Sequence, residues 1–233
     1  MNEADWPTIT DIAPTFAQSH RSNIAFSFEG RDTSFEEFDR HTNQVANALI
    51  AAGVKKGERV CYLGKNSDHY FELFLGAAKM GAVTTPIGWR LAPPEIAYIV
   101  NDSRAPMFFV GPELTGAAKE VLKDAPHVKQ TIAMEGGVPE WKSFEGWRDA
   151  ASDASPNVAL SPKDIAIQLY TSGTTGRPKG AMLTHANFIE TNKIMKAANI
   201  NWNQWSSDDI SLVAMPVAHI GGSGWGLMGL RNG

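Results

Sequence analysis

Apolar residues recur at helical spacing between residues 34 and 52 of this chain. The side chains that share one face of the implied helix are Phe35, Phe38, Val45, Ala48 and Leu49. Ser34 fits the N-cap position, and Glu37, three residues later, fits its capping-box partner. Gly53 is placed to end the helix. The pattern therefore predicts an amphipathic helix whose two ends are both specified.

Short apolar runs alternate with longer amphipathic segments along the rest of the chain, which is typical of an α/β protein. We predict strands over residues 59–63, 107–110, 128–134, 164–170 and 210–214. We predict further helices over residues 67–80, 114–124, 144–151 and 186–198. No internal repeat accompanies this order. The expected fold class is α/β, with sheets flanked by helices.

A stretch rich in Gly, Pro, Ser, Asp and Trp at residues 135–162 separates two predicted units. We expect an N-terminal α/β subdomain over residues 1–160 and the start of a second α/β subdomain over residues 161–233. The sequence closes with an apolar, glycine-rich segment and then Arg231, Asn232 and Gly233. A fold that finished there would expose an apolar helix and a sheet edge, so we expect the second subdomain to be truncated.

Composition narrows the class of protein. With 233 residues, 43% of them apolar and 20% charged, the chain can bury a substantial core. Its net charge of -4 gives no broad positive field, so we expect no nucleic-acid partner. Cys61 is the single cysteine and lies in a predicted strand, so we expect a core residue, no disulfide and a cytoplasmic location.

Membrane insertion is not expected from the sequence. No run approaches the roughly 20 apolar residues that span a bilayer, and the first residues lack the basic and apolar parts of a secretory signal. The sequence is compatible with peripheral membrane contact and with a homodimer.

Candidate chemistry is concentrated in residues 171–180, TSGTTGRPKG, which follow a predicted strand. The glycines let the backbone turn tightly so that its N–H groups can face an anion, and the hydroxyl side chains add hydrogen-bond donors. Arg177 and Lys179 add positive charge. This combination predicts a cradle for a polyphosphate, and the alternative is a flexible linker or a hairpin loop.

The spacing differs from that of the common NTPase P-loop. That motif ends in Gly-Lys-Ser/Thr, whereas here Pro178 precedes Lys179 and Gly180 follows it. A conventional phosphotransferase is therefore disfavoured, since neither a Walker lysine nor a kinase catalytic loop is present in the sequence.

Residues 170–185, YTSGTTGRPKGAMLTH, resemble the signature phosphate loop of the adenylate-forming superfamily, which includes acyl-CoA synthetases, luciferases and peptide-synthetase adenylation domains. Residues 34–60 and 74–103 are similar to two earlier blocks of that superfamily, and residues 215–222, MPVAHIGG, resemble its acyl-pocket block. The resemblance covers nearly the whole chain and is greatest to the N-terminal part of fatty-acyl and related CoA ligases.

The resemblance implies ATP-dependent activation of a carboxylic acid to acyl-AMP and then acyl-CoA. A medium- or long-chain fatty acid is the expected substrate, and an aryl or branched acid is the alternative. ATP, Mg²⁺ and coenzyme A are the implied cofactors. Lys179 would lie near the departing pyrophosphate, Thr171 would also contact Mg²⁺, and His219 would lie beside the substrate carboxylate. The residues implied to surround the β- and γ-phosphates are Thr171, Ser172, Gly173, Thr174, Thr175 and Gly176.

Several expectations stay open at this point. His185 fits a phosphate contact and a helix start equally well. An acidic Mg²⁺ ligand, a ribose-binding aspartate and the catalytic lysine of a C-terminal domain are not found in these residues, so we expect residues 1–233 alone to be inactive. A peptide-synthetase adenylation module is the alternative within the superfamily, and a non-catalytic nucleotide-binding module is the alternative outside it.

Overall fold

The computed structural model describes residues 6–136, 138–171, 177–200, 204–206 and 209–233. The strands are β1 (Ile24–Phe28), β2 (Arg31–Ser34), β3 (Arg59–Leu63), β4 (Val83–Ile87), β5 (Met107–Val110), β6 (Gln130–Ala133), β7 (Lys142–Ser143), β8 (Ile165–Thr171) and β9 (Lys179–Thr184). The helices are α1 (Ile12–Ser19), α2 (Phe35–Ala51), α3 (Asp68–Lys79), α4 (Pro93–Ser103), α5 (Thr115–Lys123), α6 (Phe144–Asp149), α7 (His185–Ala197) and α8 (Ile220–Leu230).

Within the described ranges, seven strands form one sheet in the order β7-β6-β5-β3-β4-β8-β9. Every neighbouring pair is parallel except β8 and β9, which form an antiparallel hairpin at one edge. Parallel neighbours need long crossovers, and α3, α4 and α5 supply those between β3, β4, β5 and β6. The α/β prediction is confirmed.

The two faces of this sheet are covered by different helices. Along β3, Val60 and Tyr62 join a core shared with α1, α2, α3 and α6, whereas Cys61 and Leu63 join a core shared with α4 and α5. Burial raises the pKa of the Cys61 thiol to about 12. Cys61 is therefore a packing residue with little thiolate at neutral pH, as the sequence predicts.

The start of α2 has the capping geometry that the sequence predicts. Glu37 N donates to Ser34 Oγ over 3.3 Å, and Ser34 N donates to Glu37 Oε2 over 3.0 Å. These bonds satisfy main-chain donors that the first turn of a helix leaves unpaired. The predicted helix over residues 34–52 is confirmed.

Most other predicted elements are confirmed within a few residues, but one strand prediction is wrong. Residues 210–214 form no strand in the described part of the chain. Ile210 is 95% exposed and Leu212 is 79% exposed. A strand requires a paired neighbour, and the main-chain oxygen of Val213 instead accepts from the side chain of Asn66. Ile210 and Leu212 therefore face solvent, while Val213 packs, partly buried, against the core without belonging to a strand.

The predicted division near residue 160 stays a prediction. β8 follows the connector and yet pairs with β4, so strands from both sides of residue 160 belong to one sheet. None of the described helices has the length and apolar character needed to cross a bilayer.

His185 is a buried residue at the start of α7. Its preceding residue, Thr184, caps the helix by accepting from Asn187 N over 3.3 Å. The His185 side chain is 0% exposed, and its two ring nitrogens have no hydrogen-bond partner among the described residues. Burial lowers its pKa to about 4, against the opposing effect of Asp164 and Asp11. The structure supports the helix start over the phosphate contact.

The buried His185 predicts a loss of stability in acid. Its folded pKa of about 4 lies below the reference value of 6.5, so the unfolded chain binds more protons below pH 6.5. The contribution of neutral His185 to the free energy of unfolding is fully present above pH 6.5 and is lost as the pH falls towards 4. We expect about 2 kcal/mol of it to be lost at pH 5, at about 1.4 kcal/mol per pKa unit. Urea unfolding at pH 7.5 and pH 5 would measure the difference between wild type and His185→Gln; equal pH dependence in both proteins would contradict the assignment.

Helices α2 and α3 approach closely at Gly76. A Cβ at this position would lie 2.5 Å from Val45 Cβ and 2.9 Å from the main-chain oxygen of Thr42. We expect Gly76→Ala to lower the free energy of unfolding by about 1–3 kcal/mol. Gly116 in α5 is the matched control, because no atom lies within 4 Å of its added Cβ. Gly116→Ala should stabilise by up to about 1 kcal/mol, and an equal loss in both variants would argue against close packing as the cause.

Candidate functional site

The phosphate-cradle segment connects the two strands of the β8–β9 hairpin. Thr171 and Lys179 are cross-strand partners at the end of this hairpin where the two strands are connected, and both side chains are exposed. The structure therefore brings two of the predicted site residues together. The other predicted residues of the segment, Ser172, Gly173, Thr174, Thr175 and Gly176, lie outside the described residues, and their roles stay predictions.

The hairpin places its connection at the carboxyl edge of the sheet. Because β8 runs parallel to β4, the end of β8 lies at the same edge as the ends of β3, β4 and β5. Ligands of open α/β sheets bind at this edge, where loops from several strands converge. A phosphate-binding loop after β8 is therefore positioned where the fold offers a site.

A chain of hydrogen bonds fixes the end of β8. The Tyr170 hydroxyl donates to Asp102 Oδ2 of α4 over 2.6 Å and accepts from Gln168 Nε2 over 3.0 Å. Arg59 Nε in turn donates to Gln168 Oε1 over 2.8 Å. Burial, followed by the bond to Asp102, raises the pKa of Tyr170, so its hydroxyl keeps its proton at neutral pH. The residue next to Thr171 is thereby tied to a neighbouring helix.

Gly180 allows β9 to lie close to β8. A Cβ on Gly180 would overlap the side-chain amide of Gln168. The glycine that ends the sequence motif therefore leaves room for the Gln168 side chain, which is hydrogen-bonded to Tyr170 and Arg59.

Two cations that the sequence analysis did not assign also lie at the carboxyl edge. Lys65 follows β3, and Arg90 follows β4. The Arg90 guanidinium lies 4.5 Å from the centre of the Trp89 ring, and the Lys65 ammonium lies 5.7 Å from it. Lys65 also pairs with Glu113 over 2.8 Å. The position of Lys65, two residues after the predicted strand at residues 59–63, is the sequence signal that could have identified it. Arg90 had no such signal, because the strand before it was not predicted.

His219 is the N-cap residue of α8, and its side chain is exposed. Its carbonyl accepts from Gly222 N over 3.0 Å and Ser223 N over 3.2 Å, while its own N–H donates to Pro216 O over 3.0 Å. A Cβ on Gly222 would overlap the Pro216 carbonyl. Gly222 thus permits the tight turn that places His219 at the N-terminal end of α8.

Helices α7 and α8 line a cavity of about 540 Å³. It begins beside His219, because the next two residues, Ile220 and Gly221, are part of its wall. Large apolar side chains on the wall are Leu183, Phe188, Met195, Ile220, Trp225 and Met228. The cavity can therefore accept an apolar group of a ligand whose polar end lies near His219.

Comparison with known proteins shows to which family this sequence and fold are similar. A fatty acid–[acyl-carrier-protein] ligase of Streptomyces coeruleorubidus, ScoC, is 37% identical over 97% of this chain and 42% of its own length. A feruloyl-CoA synthase of an Amycolatopsis species is 34% identical over 82% of this chain and 35% of its own length. The inhibitor-bound N-terminal domain of FACL13 from Mycobacterium tuberculosis superposes with a TM-score of 0.86 at 26% identity, over 98% of this chain and 56% of that one.

The chain thus spans less than half of the length of these curated relatives. The sequence model of the family described as AMP-binding enzyme matches residues 14–233, which is nearly the whole chain. The resemblance identified from residues 170–185 is confirmed, and the chain belongs to the family of AMP-binding enzymes.

Proposed function

We propose that the protein containing this chain uses ATP to activate a carboxylic acid as an acyl-adenylate and then transfers the acyl group to a thiol. The observation that supports this most strongly is the pairing of exposed Thr171 with exposed Lys179 at the carboxyl edge of the sheet. Membership of the AMP-binding family and similarity to named acid–thiol ligases support the same reaction class.

In the first half-reaction, a carboxylate oxygen attacks the α-phosphorus of ATP, and the bond from that phosphorus to the pyrophosphate oxygen breaks. Negative charge grows on the departing pyrophosphate, so a fixed cation beside it lowers the barrier. Lys179 is the residue proposed to supply that charge, since its side chain is exposed at the hairpin end. The residues between Thr171 and Lys179 are proposed to hold the phosphates in line.

Mg²⁺ is the implied metal, and Thr171 is the proposed contact. Its exposed hydroxyl is a hard oxygen donor, the ligand type that Mg²⁺ prefers, and it lies at the same hairpin end as Lys179. When bound, the ion would neutralise phosphate charge.

In the second half-reaction, a thiol sulfur attacks the acyl carbonyl, the bond to AMP breaks, and the thiol proton is released. Coenzyme A is the proposed acceptor. The similarity to ScoC, whose name specifies an acyl-carrier protein, favours a carrier-protein thiol as the second candidate. Thioester formation measured separately with coenzyme A and with a carrier protein, each supplied as a free thiol of known concentration, would compare the two acceptors directly.

We propose a medium- or long-chain fatty acid as the substrate. The cavity of about 540 Å³ between α7 and α8 has predominantly apolar walls, and its size is ordinary for a small-molecule site. An aromatic acid is the competing substrate, because the relatives include a feruloyl-CoA synthase as well as fatty-acid ligases. The cytoplasmic location, the oligomeric state and the inactivity of residues 1–233 alone stay predictions.

Replacement of Lys179 should remove most of the first half-reaction. We expect Lys179→Ala in the full-length protein to lower carboxylate-dependent ATP–pyrophosphate exchange by about 100-fold or more, the size of effect seen when one charge-stabilising donor is lost. Lys163→Ala is the matched control, because Lys163 is also exposed and lies on the other side of β8 in sequence. Unchanged exchange in Lys179→Ala would contradict the assigned role, and nucleotide binding without any exchange in wild type would favour a non-catalytic module.

A series of linear acids tests the substrate class. Each methylene buried in an apolar site contributes about 0.8 kcal/mol, so the four added methylenes should raise kcat/KM about 200-fold from butanoate to octanoate. Gly224 lines the cavity, and Gly224→Leu should reduce activity with octanoate far more than with butanoate. A preference for benzoate or ferulate over octanoate would instead assign the protein to the aryl-acid ligases.

A further inference from the structure

Asn66 binds three main-chain groups of the segment that leads to His219. Its Nδ2 donates to Val213 O and to Met215 O, each over 2.9 Å, and its Oδ1 accepts from Val217 N over 3.0 Å. Both amide protons and one acceptor site are thereby used. The opposite amide orientation would place the oxygen against two carbonyls, so the bonding pattern is specific to asparagine.

A second tether reaches the same segment from α3. The Ser223 hydroxyl donates to Val217 O over 2.6 Å. Because that bond uses the only serine proton, the Tyr70 hydroxyl, at 2.5 Å, must be the donor to Ser223 Oγ. Tyr70 and Ser223 are both 0% exposed. Val217 is thus bound on its N–H by Asn66 and on its carbonyl by Ser223.

The segment that leads to His219 depends on these side chains, because few other interactions hold its main chain in place. Residues 209–216 belong to no helix or strand of the described chain. Ile210, Leu212 and Met215 are exposed, so apolar burial holds little of it in place. Asn66 supplies hydrogen-bond partners to three main-chain groups of this segment, at partly buried and exposed positions.

These contacts determine where the acid-binding part of the site lies. Asn66 follows β3 at the carboxyl edge of the sheet, the same edge that carries Thr171. Val217 is two residues before His219 and three before Ile220, which lines the α7–α8 cavity. A shift of the segment would therefore move both the imidazole and the cavity wall relative to the end of β8.

We propose that Asn66, assisted by the Tyr70–Ser223 pair, is a positioning residue that sets the carboxylate end of the acid site relative to the phosphate loop. The role rests on the proposed acid activation, in which His219 lies beside the carboxylate. It differs from a general stabilising role, because it affects binding of the acid more than binding of ATP.

The test is adenylation kinetics of Asn66→Ala in the full-length protein. We expect the KM for the acid to rise about ten-fold, because several hydrogen bonds that order the site are lost, while the KM for ATP changes less than two-fold. Asn47→Ala is the matched control. Asn47 Nδ2 also donates to two main-chain oxygens, those of Ser152 and Ala154, each over 2.8 Å, and it binds the connector rather than the site. This control should leave both KM values unchanged.

Ser223→Ala provides a second variant should Asn66→Ala fail to fold, and it should also raise the KM for the acid selectively. Hydrogen exchange gives a readout of the tether itself: the Val217 amide should exchange faster in Asn66→Ala and not in Asn47→Ala. An active Asn66→Ala or Ser223→Ala protein whose two KM values change equally, or not at all, would overturn the inference and leave the proposed function standing. Absence of acid-dependent pyrophosphate exchange in wild type would overturn both.

Discussion

The parallel pairing of β8 with β4 is the constraint on which the rest of the structure depends. It joins the β8–β9 hairpin to the central sheet and directs the end of β8 to the edge where β3, β4 and β5 also end. Hydrogen bonds from Tyr170 to Asp102 and from Arg59 to Gln168 hold that strand in place. A glycine-rich loop needs such a rigid support, because its own residues contribute little packing.

The same edge of the sheet also holds the part of the candidate site near His219. The segment before α8 is bound through Asn66, which follows β3, so the position of His219 is coupled to the sheet rather than to a strand of its own. A nucleotide bound after β8 and an acid bound beside α8 would then both be held in position by the same sheet. In-line transfer requires that kind of common support, since small misplacements of the reacting groups reduce the rate strongly.

Local sequence signals predicted the elements that depend on local interactions. The capping box at Ser34 and the buried run of β5 are examples, because their residue types and spacing are sufficient to define them. β4 was missed because Val83–Ile87 contains two threonines and a proline, although tertiary packing buries all of it. The strand expected at residues 210–214 was wrong for the opposite reason: this apolar segment has no partner strand in the described part of the chain, and Ile210 and Leu212 face solvent.

The residues of the candidate site also include some that the sequence identifies and one that only the structure reveals. The motif containing Thr171 and Lys179 could be identified from residue types alone, and the structure places these two residues opposite each other. The role of Asn66 could not be predicted, because its partners at Val213, Met215 and Val217 lie about 150 residues away along the chain. Such a contact exists only once the sheet has brought distant segments to one edge.

The most direct measurement is a crystal structure of the full-length protein with an ATP analogue whose α–β bridging oxygen is replaced by methylene. The β- and γ-phosphates should lie at the connected end of the β8–β9 hairpin, within hydrogen-bonding distance, about 2.7–3.2 Å, of the Thr171 hydroxyl and the Lys179 ammonium. A nucleotide bound away from that hairpin, with Lys179 directed elsewhere, would contradict the account.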